Sequence, residues 1–129
     1  MRIFEKSHLI DSGNWEVHSE LPTGYLVRRT IFEYGDFEIA KVSINLDGYQ
    51  HEGTIWFGTP PILGMLNGAT ILHNNWGLID YRLFAPDFCC DELLGLKAEN
   101  LSQAALRFRI GELRQAGILK CYHEVSRSS

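Results

Sequence analysis

Between Tyr25 and Leu46 the chain runs Tyr-Leu-Val-Arg-Arg-Thr-Ile-Phe-Glu-Tyr-Gly-Asp-Phe-Glu-Ile-Ala-Lys-Val-Ser-Ile-Asn-Leu, and no other stretch constrains the fold so firmly. Its first part, Tyr25 to Tyr34, is rich in β-branched and aromatic side chains, which suit a pleated, half-buried strand. Tyr34-Gly35-Asp36 then reads as a turn, with Gly35 free to adopt the positive φ of a tight hairpin. The return run is apolar at Phe37 and Ile39, then at Val42, Ile44 and Leu46. That change of phase near Ala40-Lys41 predicts a β-bulge. Asp47-Gly48 closes the strand.

Further along, Thr54 to Phe57 is a short apolar run between two glycines and predicts a central, doubly covered strand. Thr59-Pro60-Pro61 interrupts the sheet, because proline cannot donate to a ladder. A second hairpin is expected from Ala69 to His73, the turn Asn74-Asn75-Trp76-Gly77, and the arm Leu78 to Phe84, in which Ile79, Tyr81 and Leu83 alternate with Asp80 and Arg82. Asp91 to Leu96 is read as a short helix. Asn100 stands where an N-cap belongs, answered by Gln103. Leu106, Ile110 and Leu113 recur at i, i+4 and i+7, with Gly117 as the terminating glycine, and this predicts one long helix. Ile118 to Val125 forms a last strand. The expected fold is α+β: a mainly antiparallel sheet of two hairpins plus a C-terminal strand, with the helix packed on one face. No repeat or linker divides residues 1–129, so one domain is expected.

Composition excludes several classes. At 129 residues, 45% apolar and 22% charged, the chain can bury a core of its own and is neither disordered nor fibrous. No stretch is long and apolar enough to span a bilayer, and the N-terminus alternates charge with apolarity unlike a secretory signal. Three cysteines, two of them adjacent, form no disulfide framework, so a cytoplasmic location is expected. The formal charge of -4 is unevenly placed: residues 1–96 carry -7 and residues 97–129 carry +3. A basic nucleic-acid-binding face is absent from the body of the chain.

Candidates for chemistry are few. Cys89, Cys90, Cys121 and His123 are the one plausible soft-metal set, and Cys121 and His123 share a strand face; adjacent cysteines diverge, so free thiols and no metal are expected. His51-Glu52 and a His73–Asp80 pair are the candidate acid–base groups, but no nucleophile, metalloprotease or phosphate-loop motif accompanies them. No catalytic residue and no cofactor is assigned.

Glu33, Asp36, Glu38, Asp47 and Glu52 cluster in sequence around the first hairpin and its following loop, with Tyr34, Tyr49 and Trp56 among them as possible aromatic anchors. The candidate protein-binding residues are Glu33, Asp36, Glu38, Asp47, Tyr49 and Glu52. In size, charge and expected fold class the chain resembles the immunity proteins that neutralise bacterial toxins. That resemblance implies a cognate toxin as partner, such as a nuclease, its active site occluded by an acidic face. A second resemblance lies in the C-terminal third. Glu92 to Leu96, followed by a helix ending Glu112-Leu113-Arg114-Gln115-Ala116-Gly117-Ile118, resembles the recognition helix and first wing of winged-helix proteins. It implies a DNA-binding regulator using Arg107 and Arg114. A small ligand-binding protein or enzyme is the third reading; it requires a pocket joining His51 or His73 to Asp80.

Overall fold

The computed structural model describes residues 2–13, 15–53, 55–58, 75–83, 90–91 and 95–127. Within them the chain is almost entirely β, and the expected α+β class is wrong. Eleven strands are found among the described residues: β1 (Arg2–Ile10), β2 (Glu16–Glu20), β3 (Leu26–Tyr34), β4 (Phe37–Leu46), β5 (Tyr49–His51), β6 (Trp56–Gly58), β7 (Asn75–Asp80), β8 (Cys90–Asp91), β9 (Gly95–Lys97), β10 (Ala104–Leu113) and β11 (Gly117–Ser126). They form two antiparallel sheets. The larger has the order β1-β11-β3-β7-β6, with β9 beside the start of β3 and β8 beside β9; the smaller has the order β2-β10-β4-β5. Among the described residues no helix is long and apolar enough to cross a membrane.

The predicted long helix is strand β10. Its residues alternate: Ala104, Leu106, Phe108 and Ile110 are buried, while Arg107 and Arg109 point out. Leu106 and Ile110 lie four apart, a spacing that satisfies a period of two as well as one of 3.6. Asn100 is the last residue of a single 3-10 turn, Ala98–Asn100, whose N-cap position is held by Lys97, so the expected Asn100–Gln103 cap is not formed. The short helix expected at Asp91 to Leu96 is corrected too, since Cys90 pairs with Leu96 and Asp91 with Gly95 as adjacent strands.

Strands β3 and β4 occupy nearly the predicted residues but do not form a hairpin. β3 lies in the larger sheet between β11 and β7; β4 lies in the smaller one between β10 and β5. Gly35-Asp36 is therefore an arch that crosses from one sheet to the other, and Gly35 does not take the expected positive φ. The β1–β2 and β10–β11 connections make the same crossing, since each joins a strand of one sheet to a strand of the other. The three arches lie side by side at one end of the sandwich. Asp36 C=O accepts the amides of Arg114 and Gln115, each at 3.1 Å, and Trp15 C=O accepts that of Ile110 at 2.9 Å.

A real hairpin joins β4 to β5 through Asp47 (φ 50°) and Gly48 (φ 89°), the left-handed pair that a tight two-residue turn needs. The predicted bulge is present. Lys41 pairs with Arg109 and Ile39 with Ile110, leaving Ala40 as the extra residue. The central, doubly covered strand expected at Thr54 to Phe57 is corrected: among the described residues β6 is the last strand of its sheet, and Trp56 and Phe57 are 40% and 55% exposed. Asn75 to Gly77, expected as a turn, belong to β7; the proposed first arm, residues 69–73, lies outside the described residues.

The core sits between the sheets. Ile10, Val27, Phe32, Ile79, Leu119 and Val125 from the larger sheet pack against Val17, Val42, Ile44, Leu106, Phe108 and Ile110 from the smaller. On its other face the larger sheet is buried as well, around Ile31, Trp76, Leu78 and Tyr122. That face also holds a buried ion pair, with Arg29 Nε and Nη2 donating to the Glu124 carboxylate at 2.9 and 2.8 Å.

Candidate binding surface

At the arch end of the sandwich, a cleft of about 330 Å³ is lined by Tyr34, Phe37, Glu38, Ile39, Phe57, Asn75 and Arg114. Its aromatic floor follows from the strand pattern. Phe32 faces the core and touches Phe108; Tyr34, two residues later on the same face, continues that stack outward to the end of the sheet. Phe57 on the edge strand meets Phe32 edge-on at 6.0 Å, and Phe37, just past the arch, meets Tyr34 at 5.8 Å. Burial raises the Tyr34 hydroxyl above its ordinary pKa, so it is a neutral donor at the cleft.

The rim is charged and mostly acidic. Arg114 Nη1 donates to Asp36 at 3.4 Å and its Nη2 lies 3.7 Å from Glu112. Glu38 stands over Gly111, its carboxylate 3.4 Å from the Glu112 amide. Two carboxylates, Asp36 and Glu112, flank one guanidinium, and all three side chains have more than half of their surface in water. A larger hollow of about 510 Å³ at the opposite end, between Glu20, Thr23, Asn45 and Gln103, is lined by no phenylalanine, tyrosine or tryptophan among the described residues.

The six candidate binding residues are dispersed. Asp36 and Glu38 are brought together at the cleft. Glu33 is wholly buried on the other side of its sheet, where it accepts a 2.7 Å bond from the Tyr122 hydroxyl. Burial and this bond to Glu33 both push the Tyr122 phenol up. Asp47 and Tyr49 lie at the far end, on the β4–β5 hairpin; the Asp47 carboxylate caps the amides of Ser102 and Gln103 at 2.9 and 2.8 Å, while Tyr49 is 70% exposed. Glu52 forms an exposed pair with Lys41. Trp56 sits on the edge strand. Sequence reasoning missed Phe57, Asn75 and Glu112, and it singled out Arg114 for a different purpose. Only the pairing of distant strands brings these residues to one place.

The other expectations resolve similarly. Arg107 and Arg114 share no helix: Arg107 grips Glu16 from a strand, and Arg114 is in an arch. That removes the recognition helix on which DNA binding depended. Bonding to Arg107, then to His18, pulls the Glu16 carboxyl down to about 2. Cys121 and His123 do share a face, turned into the core. Burial pushes the Cys121 thiol up to about 12 and His123 down to about 4. His123 Nδ1 and the Tyr81 hydroxyl each lie 2.8 Å from Thr30 Oγ1, in a buried polar chain. Among the described residues no group of three or more histidine, cysteine and carboxylate side chains is placed to hold a metal. Cys89 and His73 lie outside the described residues. Asp80 is engaged by Arg82 at 2.6 Å. Burial would raise its pKa, but Arg82 and the charge of Arg29 outweigh that and hold it below the usual value. No family description matches the chain, and no similar curated protein or solved structure was found.

Proposed function

We propose that the protein is a protein-binding β-sandwich whose contact surface is the arch-end cleft. One observation carries the reading: three aromatic rings, Tyr34, Phe37 and Phe57, line a single cleft together with Glu38 and with Arg114, which is paired to Asp36 and Glu112. Aromatic anchors within a charged rim are the usual make-up of an interface hot spot, where apolar area supplies affinity and charge supplies steering and register. At about 330 Å³ the cleft suits one or two inserted side chains of a partner. With a formal charge of -4 on the whole chain, a partner with a basic surface is favoured.

The most concrete form of this function is neutralisation of a bacterial toxin. Here the acidic rim would cover a basic active-site groove, such as that of a nuclease, and exclude its substrate by occlusion. The test is co-expression with the product of the neighbouring gene, followed by co-purification and assay of the toxin's activity. Stable complex formation, with inhibition lost in Phe57→Ala, supports both levels of the proposal. A complex without inhibition retains binding and removes neutralisation. A well-folded protein that captures nothing and inhibits nothing overturns both.

A further inference from the structure

The smaller sheet turns its outer face to solvent, and there the chain's charge reverses locally. Arg107 and Arg109 are two apart on β10 and so share that face, and Lys41 on β4 is the direct cross-strand partner of Arg109. Like charges placed directly opposite one another destabilise a strand pair. Two carboxylates lie nearby: Glu16, which faces Arg109 from β2, and Glu52. Glu16 is gripped by the Nε and Nη2 of Arg107, and Glu52 meets Lys41 in an exposed pair of the kind worth little in water. Among the described residues Arg109 has no ion pair and no hydrogen-bonded side chain.

Lys41, Ser43, Gln50, Arg107 and Arg109 line a depression of about 230 Å³. Its neutral members are already oriented. Arg107 Nη1 donates to Gln50 Oε1 at 3.0 Å, and Gln50 Nε2 donates to Ser43 Oγ at 3.1 Å. The Ser43 hydroxyl proton thus has no part in that chain and can serve a ligand, together with the guanidinium of Arg109 and the ammonium of Lys41. We propose that this depression binds a small tetrahedral oxyanion of the phosphate or sulfate type, free or as the head of a small monoester. An anion seated between Lys41 and Arg109 converts their repulsion into two charge-assisted contacts, and the planar fork of Arg109 matches two oxygens of such an ion. The depression is smaller than the roughly 300 to 1,000 Å³ of pockets that enclose a drug-sized ligand, so the ion or head group is what it encloses.

The test is titration of the isotope-labelled full chain with inorganic phosphate at low ionic strength, read by amide and side-chain NMR shifts against sodium chloride as control. Saturable shifts should be confined to Lys41, Ser43, Gln50, Arg107 and Arg109. Arg109→Gln should weaken binding about tenfold or more, and Lys41→Gln, an independent removal from the same depression, should weaken it in the same direction. A parallel titration with a sugar phosphate distinguishes the sources: tighter binding than phosphate assigns a monoester, and equal binding assigns the free ion. Shifts that never saturate, or that are unchanged in both variants, overturn the proposal.

Discussion

The ring of Phe32 ends over Gly77 on the neighbouring strand, so close that a methyl group on Gly77 would lie 2.1 Å from Cζ. Phe32 is fully buried and joins Phe108, Phe57 and Tyr34 in the stack that reaches the cleft. Gly77→Ala must therefore displace the ring or the strand, an overpacking expected to cost about 1–3 kcal/mol. Chemical denaturation would show it as a lowered midpoint. Because the displaced ring touches Phe57, partner binding should weaken in the same variant.

Replacing His123 tests the polar chain inside the core. Burial, then the charges of Lys6 and His8, hold the folded-state pKa at about 4, against roughly 6.5 for an unfolded histidine. Above pH 6.5 the group is neutral in both states. As the pH falls from about 6.5 towards 4, the unfolded chain binds a proton that the native chain does not, so stability falls by about 1.4 kcal/mol per pH unit at most. His8 is shifted in the same direction, by burial and Lys6, and adds to the loss. Stability measured from pH 4 to 8 should show this decline, and His123→Gln should flatten it while lowering the plateau.

The Arg29–Glu124 pair allows a test of paired against unpaired burial. Arg29→Met leaves a carboxylate that is 3% exposed without its partner, which is expected to cost about 3–5 kcal/mol. The double variant Arg29→Met with Glu124→Leu removes both charges and should recover most of that loss. If thermal melts show the double variant to be less stable than the single one, the pair does more than neutralise itself.

Asp47 should matter to the fold and not to the partner. It takes a left-handed backbone and accepts two amides from the segment that leads into β10. Asp47→Ala should destabilise by about 1–2 kcal/mol, with Asp47→Asn recovering part of it. Affinity for a partner held at the cleft should be unchanged, whereas Asp36→Ala should reduce it.

The local marks of this fold were legible in the sequence, and its partnerships were not. The phase change at Ala40 announced the bulge because a bulge is written in one strand's own alternation. Leu106 and Ile110 misled because a spacing of four fits helix and strand alike, while the stricter signal, Leu106-Arg107-Phe108-Arg109-Ile110, alternates with period two. Gly35-Asp36 looked like a hairpin because turn residues report a reversal and not which sheet receives the chain. β1 went unrecognised since Glu5, Lys6 and Ser7 are exposed along it and blur its pattern. Asp36 and Glu38 of the cleft could be chosen from sequence, but Arg114 lies 78 residues from Asp36 and joins it only through the pairing of arches.

The placing of β10 and β11 sets when this chain can fold. Each is flanked on both sides, β10 by β2 and β4 and β11 by β1 and β3, so the segment from residue 104 to 126 supplies the middle of both sheets. In a nascent chain that has reached residue 100, β1 and β2 lack their one described strand partner, and β3 and β4 each lack one of theirs. Such a chain has bare apolar edges and no core to close, a state open to aggregation and suited to capture by a chaperone. Neither sheet can therefore be completed until synthesis has passed residue 126.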